Sequence, residues 1–274
     1  MGPTSEETKE FYDEVGWTLV DGKTVDEQLF GDREMGPIRT ALQQERAARV
    51  RKALWSAGPP LNLLEVGCGG NPAISLLNIC SHYTGVDFSR SGLEVARLRL
   101  APTGKSFELR EARANNLPFP EHCFDAAYSA HALYHIPIVA EQATAFHEIA
   151  RVVRHGGVAV FLLANPHPLL SPVRLARRLL ADTPYLGDML NRLRRKPPLP
   201  YRPMPIGWMR RQLAPYGDVS VSCHALESTW QNQHISEYSI LGKLLWTAEH
   251  HVERRFADRI AQFGNYVQIV LQKR

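Results

Sequence analysis

The sequence predicts an α/β protein built on a doubly wound, mostly parallel sheet of seven strands. Three observations lead there. Apolar runs alternate with helical stretches from residue 61 to residue 164; a glycine-rich break, Glu65-Val66-Gly67-Cys68-Gly69-Gly70-Asn71, ends the first run; and an acid, Asp87, closes the second run twenty positions after Gly67. Strands alternating with helices make parallel sheets covered on both faces. Glycines after the first strand let the backbone turn sharply and lie against a ligand where a Cβ would collide. An acid at the tip of the second strand can accept both hydroxyls of a ribose. Together they describe a nucleoside-binding βαβ unit.

The elements follow in order. Residues 1–58 read as a polar, helical cap, with Phe11, Tyr12, Val15 and Trp17 clustered early and a helix from about Ile38 to Trp55. The core, residues 59–165, runs strand Leu61 to Val66, helix Ala73 to Ser81, strand Tyr83 to Asp87, helix Ser91 to Leu100 and strand Ser106 to Arg110. Strand Phe124 to Ser129, helix Ala140 to Val153 and strand Val158 to Ala164 complete it. Pro137 stands near the start of that last helix, and Arg151, Arg154 and His155 precede Gly156-Gly157 at its end. Residues 166–216 break the rhythm with dense prolines and read as an insertion of short helices, a lid over the sheet. Residues 217–274 bring strand Val219 to Cys223, a helical stretch from Ile240 to Phe256, and an alternating last strand, Tyr266 to Leu271.

Composition excludes several classes. A chain of 274 residues with 44% hydrophobic content can bury one large core. Cys68, Cys80, Cys123 and Cys223 show no paired spacing, and no apolar stretch is long enough to cross a bilayer, so a reducing cytoplasmic setting is expected, with no disulfide framework. The start has no signal-peptide pattern and no myristoylation site, with Glu6 where Ser or Thr is required. The net charge is +4, yet Ser171 to Arg211 holds ten Lys and Arg against two Asp. That segment offers three readings: an amphipathic helix packed on the sheet with solvated arginines, a clamp for an anionic acceptor, or a surface for RNA or acidic lipid. Aromatics for base stacking are sparse there (Tyr185, Tyr201, Trp208), which disfavours nucleic acid.

A dinucleotide site prefers glycine at the sixth position of GxGxxG, where Pro72 stands, so the break instead resembles motif I of the class I S-adenosylmethionine-dependent methyltransferases. Glu65, Gly67 and Gly69 match its ExGxGxG, and Asn71 replaces the third glycine. Four further blocks continue the resemblance over residues 60 to 165: Val86-Asp87-Phe88-Ser89, Asn116-Leu117-Pro118-Phe119 with Cys123-Phe124-Asp125, Ser129-Ala130-His131, and Arg151-Val152-Val153-Arg154-His155-Gly156-Gly157. The resemblance, to the type 11-like branch, implies a last strand antiparallel to the rest and S-adenosylmethionine as cofactor. It also implies a cofactor site at Glu65, Gly67, Cys68, Gly69, Asp87, Phe88, Arg113, Ala114 and Ser129. One departure stands out: where the family usually has an Asp accepting from the adenine amino group, this chain has Arg113, which can only donate, leaving Glu111, Asn115 or Asn116 as substitutes.

The chemistry implied is in-line transfer of a methyl group from a sulfonium, in which the protein aligns the acceptor, excludes water and removes a proton. The Ser-Ala-His-Ala after Phe124 is not the Asn-Pro-Pro-Tyr type of amino-directed nucleic-acid enzymes, and Ser129 stands where catechol-type enzymes ligate magnesium, so a metal-free enzyme acting on a small, anionic or lipidic molecule is expected. Candidate bases are His131, His135 and His167, with packed structural histidines as the alternative for His135 and His167. Tyr12, Trp17 and His131 are candidate substrate-binding residues, docking of the first helix being the alternative for Tyr12 and Trp17. His250 and His251 point about 100° apart on a helix and do not form a metal site. RNA methylation and non-catalytic binding on the same fold are the rival functions. The oligomeric state is left open.

Overall fold

The computed structural model describes residues 4–30, 35–168, 200–227 and 229–274. Seven strands, β1 (Leu61–Val66), β2 (Cys80–Asp87), β3 (Phe107–Glu111), β4 (Phe124–Ala130), β5 (Val153–Ala164), β6 (Gly217–Ala225) and β7 (Tyr266–Lys273), form one sheet in the order β3-β2-β1-β4-β5-β7-β6. Pairing is parallel except that β7 lies antiparallel between β5 and β6. This is the doubly wound sheet with one reversed last strand that the sequence predicts. From β1 the strand order departs in both directions, to β2 on one side and β4 on the other, and ligands settle beyond the carboxyl ends of strands at such a switch point.

Helices α1 (Ser5–Phe11), α2 (Val25–Phe30), α3 (Pro37–Trp55), α4 (Arg90–Leu100), α5 (Val139–Val152), α6 (Ile206–Leu213), α7 (Thr229–His234) and α8 (Ile240–Phe256) surround the sheet. Because strand side chains alternate, neighbours in β1 serve opposite cores: Leu64 joins Phe146 and Ile149 of α5 and Leu213 of α6, while Leu63 joins Val50 and Leu54 of α3 and Leu100 of α4. Each such buried side chain contributes roughly 1.5–3 kcal/mol. Truncating Phe146, which is 1% exposed, would cost about 3–5 kcal/mol.

Three local expectations are corrected. The helix expected at Ala73 to Ser81 is a single 3-10 stretch, Ile74–Ile79, and β2 starts at Cys80; the Glu65 carboxylate takes the Ala73 N–H just before the stretch. Gly156-Gly157 does not end a helix but lies inside β5, at a register shift opposite Phe124 and Ala126; Gly156 has φ +72°, and a Cβ on Gly157 would stand 2.6 Å from the Asp125 carbonyl. Residues 1–58 are not wholly helical. Asp21 and Gly22, at φ 51° and 77°, turn a two-residue hairpin, Leu19–Val20 with Lys23–Thr24, of the kind Asp-Gly favours. The amphipathic pattern Leu169 to Leu180 falls outside the described residues, among which no helix is long and apolar enough to cross a membrane.

Candidate active site

A cavity of about 1130 Å3 opens beyond the carboxyl ends of β1, β2 and β4. One half is built by the glycine loop. Glu65, 3% exposed, accepts from the Ala73 N–H (2.9 Å) and the Tyr83 hydroxyl (2.7 Å), which pins the loop from behind; burial raises its carboxyl to about 7. Asp87, 7% exposed, accepts from the Gly69 N–H (2.8 Å) through one oxygen and the Ser89 N–H (2.9 Å) through the other. A carboxylate offers about four lone-pair positions, so both oxygens retain acceptor capacity for a ligand. Burial raises Asp87 to about 6, with the Ser89 and Gly69 N–H groups opposing it.

The glycines are required for a reason the sequence did not disclose. Gly67 and Gly69 have φ +79° and +47°, but a Cβ on Gly67 would meet the Ala132 Cβ at 2.2 Å, and one on Gly69 would meet the Trp17 ring at 2.3 Å. Trp17 also covers Gly70 and Gly92, and Tyr12 stacks on it with ring centroids 5.5 Å apart. The turn Tyr12–Gly16 is held there by Asp13, which accepts from the Ser89 hydroxyl (2.8 Å) and the Ser91 N–H (3.4 Å) at the start of α4. Tyr12, Trp17 and Asp26 thereby roof the half lined below by Gly69, Asp87 and Phe88. Asp26 was not anticipated; burial, with Glu27 and Asp87 nearby, raises it to about 6.

Arg113 and Ala114 lie on the wall, but the Arg113 guanidinium turns to Glu6 of α1. Of the three acceptors expected to substitute for it, Asn115 lines the cavity, whereas Glu111 pairs with Lys9 at 3.3 Å. Cys68 is buried on the wall, its thiol pushed well up by desolvation. Ser129 is placed elsewhere: it is 1% exposed, donates to the Val66 carbonyl (2.8 Å) and is not on the cavity wall. That hydroxyl couples β4 to the end of β1.

The other half of the cavity gathers imidazoles. His131 follows β4 at φ +56°, strained for a residue with a Cβ, and its Nδ1 lies 3.1 Å from the Tyr134 hydroxyl. Its exposed surface faces the cavity interior, where burial lowers it to about 4. His135 Nδ1 lies 2.8 Å from the Pro200 carbonyl. A carbonyl only accepts, so Nδ1 carries the proton and Nε2 holds the lone pair. Desolvation lowers His135 as well, keeping it neutral. His167 does not join them. It is exposed, its N–H donates to Asn165 Oδ1 (2.9 Å), and it is off the cavity wall.

Sequence reasoning missed the far wall. His224, at the end of β6, is 9% exposed, and Arg46 of α3 faces the cavity with its charge already committed. Arg46 forms a bidentate pair with Glu227 and donates to both oxygens of Glu253 (3.0 and 2.7 Å). Glu227 and Arg46 are 181 residues apart, so no local pattern could have joined them.

Comparison with known proteins agrees with this geometry. Residues 64–161 match the family described as a methyltransferase domain. The chain is 32% identical over 188 residues to the O-methyltransferase cnsE of Penicillium expansum, spanning 64% of each protein, so it covers less than two thirds of that relative. Among solved structures, geranyl diphosphate C-methyltransferase of Streptomyces coelicolor A3(2) superposes with a TM-score of 0.56 at 15% identity, covering 98% of this chain and 97% of that one. The [4+2]-cyclase SpnF does so with a TM-score of 0.56 at 18% identity, covering 98% and 96%. At such identities the structural likeness establishes the fold, and the match to the methyltransferase-domain family covers residues 64–161.

Proposed function

We propose that the protein is an S-adenosylmethionine-dependent methyltransferase acting on a small-molecule acceptor in the cytoplasm. The observation that carries this is one continuous cavity lined both by the buried Asp87 carboxylate and the Gly67–Gly69 backbone and by His131 and His135. Single small-molecule sites usually occupy about 300–1,000 Å3, so the volume of about 1130 Å3 suits a donor and an acceptor together. The residues fit the donor: Asp87 keeps lone pairs for two ribose hydroxyls, Asn115 can accept from an adenine amino group, and the acids Asp26, Glu65 and Asp87 suit a ligand bearing a sulfonium cation. When bound, that ligand supplies the activated methyl group. The protein aligns the acceptor, excludes water beneath Tyr12 and Trp17, and takes up a proton at His135 Nε2. In this reading residues 1–58 form the cap, 59–165 the donor core, 166–216 a lid, and 217–274 the completion of the sheet and of the acceptor wall.

Calorimetry with S-adenosylmethionine and S-adenosylhomocysteine, followed by transfer of labelled methyl groups into metabolite extracts, tests the proposal with Asp87→Ala as the control. Binding followed by labelled products that vanish in the variant is expected. Absence of binding at millimolar concentrations would end the reading, and binding without any transfer would support a different reaction on this fold.

A further inference from the structure

The acceptor half of the cavity has a chemical character of its own, defined by His131, Tyr134, His135, Tyr201, His224 and Tyr266. All six line the cavity, and their rings meet edge to face: His131 with Tyr266 at 5.0 Å, Tyr134 with Tyr201 at 5.4 Å, His131 with His224 at 6.4 Å. The lobe is polar but carries no net charge. Desolvation lowers all three imidazoles, and Arg46 and Arg49 are matched by Glu227 and Glu253. An anionic acceptor would lose its hydration here and find no uncommitted cation among the described wall residues, since Arg46 and Arg113 are both paired; burying an unpaired charge is costly. An unfilled polar group marks the wall. His224, which lines the cavity, has its Nδ1 buried without a hydrogen-bond partner.

The base narrows the choice further. His135 is fixed by Pro200 with its lone pair at Nε2, but its basicity is lowered, so it suits an acidic hydroxyl. A phenol ionises near pH ~10, and an aliphatic hydroxyl resembles water at ~15.7, on the order of 6 units further from a neutral imidazole.

Resting on the methyltransferase reading above, we propose that the acceptor is an uncharged aromatic alcohol, a phenol, bound among these six rings and methylated on oxygen with His135 as base. The phenol oxygen forms a bond to the methyl carbon, the carbon–sulfur bond breaks with its electron pair left on sulfur, and the phenolic proton passes to His135 Nε2. The products are an aryl methyl ether, a neutral thioether and a protonated imidazole. The charge lost at sulfur reappears on the histidine.

Three probes that share one ring system test this on the full chain saturated with S-adenosylhomocysteine: 2-naphthol, 2-naphthoate and 2-naphthylmethylammonium, followed by ring fluorescence. The naphthol is expected to bind at least about tenfold more tightly than either charged probe, a difference of ~1.4 kcal/mol. Equal or tighter binding of naphthoate would overturn the assignment in favour of an anionic acceptor, and failure of all three to bind would overturn the aromatic lobe. Failure of S-adenosylhomocysteine itself to bind would instead refute the donor site. With labelled S-adenosylmethionine, slow formation of 2-methoxynaphthalene is expected, and bound naphthol that is never methylated would refute transfer to oxygen. His135→Gln should retain S-adenosylhomocysteine and naphthol binding while transfer falls by about 10²–10⁴-fold, the usual worth of a general base. Transfer at the wild-type rate in that variant would remove His135 from the reaction.

Discussion

Replacing Asp87 with asparagine should separate binding from stability, because the two effects have opposite physical origins. The carboxyl stands at about 6, raised from 3.8 mainly by desolvation, so its ionised form is held at a cost of about 3 kcal/mol at neutral pH, taking ~1.36 kcal/mol per unit. The Asp87→Asn change would remove that cost. It would also turn the new side chain's NH2 toward one of the two backbone N–H groups, Gly69 or Ser89, leaving a buried donor unmatched at about 1–3 kcal/mol. The two nearly cancel, and the melting temperature should stay within a few degrees of wild type. Binding has no such compensation. A ribose facing asparagine loses at least one charge-assisted hydrogen bond of about 1.5–3 kcal/mol, so affinity for S-adenosylmethionine should fall by roughly 10–150-fold. Calorimetry and thermal melting on the same sample read both quantities. A variant that binds as tightly as wild type would refute the ribose assignment, and one that unfolds many degrees lower would show that the carboxylate is chiefly structural.

Four further outcomes follow. Because the folded Asp87 carboxyl is raised to about 6 and the unfolded one is near 3.8, its ionisation reduces stability as pH climbs between those values; ligand hydroxyls prefer the ionised form, so S-adenosylmethionine affinity should decline about tenfold per pH unit below 6, and calorimetric affinity that is flat from pH 5 to 7 would contradict this. Gly67→Ala, at φ +79° with its new Cβ 2.2 Å from that of Ala132, should destabilise by more than the ~1–2 kcal/mol of left-handed strain alone and should distort the loop, visible as a lower denaturant midpoint and weaker donor binding. Asn115→Ala should weaken S-adenosylmethionine about fivefold if Asn115 supplies the adenine acceptor that Arg113 does not, whereas His167→Ala, off the cavity wall, should leave the rate of transfer unchanged.

The half proposed for the donor was legible because its parts are local. The loop Glu65 to Asn71 and the acid Asp87 sit at the ends of adjacent strands, and periodicity alone places those ends; β1 and α8 fall at the expected residues. Misplacements occur where a tertiary contact overrides local pattern. Glu65 reaches forward to Ala73 and shortens a helix, and Gly157, crowded by Asp125, becomes part of β5. Ser129 was misread because a hydroxyl at a strand end looks the same whether it serves a ligand or, as here, the Val66 carbonyl. The role of Gly69 was half legible: its need for a missing Cβ was plain, but the ring that demands it, Trp17, arrives from 52 positions upstream.

The half proposed for the acceptor was legible only in part, His131 and His135, for a reason that bears on specificity. Glu65, Gly67, Gly69, Asp87 and Asn115, together with His131, Tyr134 and His135, fall within residues 64–161, the segment that matches the methyltransferase domain, whereas Arg46, Tyr201, His224, Glu227 and Tyr266 all fall outside it. The wall they form is assembled by Arg46, which draws α3, Glu227 and α8 together, while Arg49 donates to the His224 carbonyl at 3.0 Å and fixes the strand end that carries the imidazole. Buried ion pairs of this kind contribute little net stability, since desolvation offsets attraction, yet removing one partner costs about 3–5 kcal/mol. Their effect is to fix one arrangement. In the proposed reading the matched segment supplies the donor loop and part of the acceptor wall, and segments outside it complete that wall, so proteins sharing the sheet can differ in the molecules they act on without any change at Asp87 or the glycine loop.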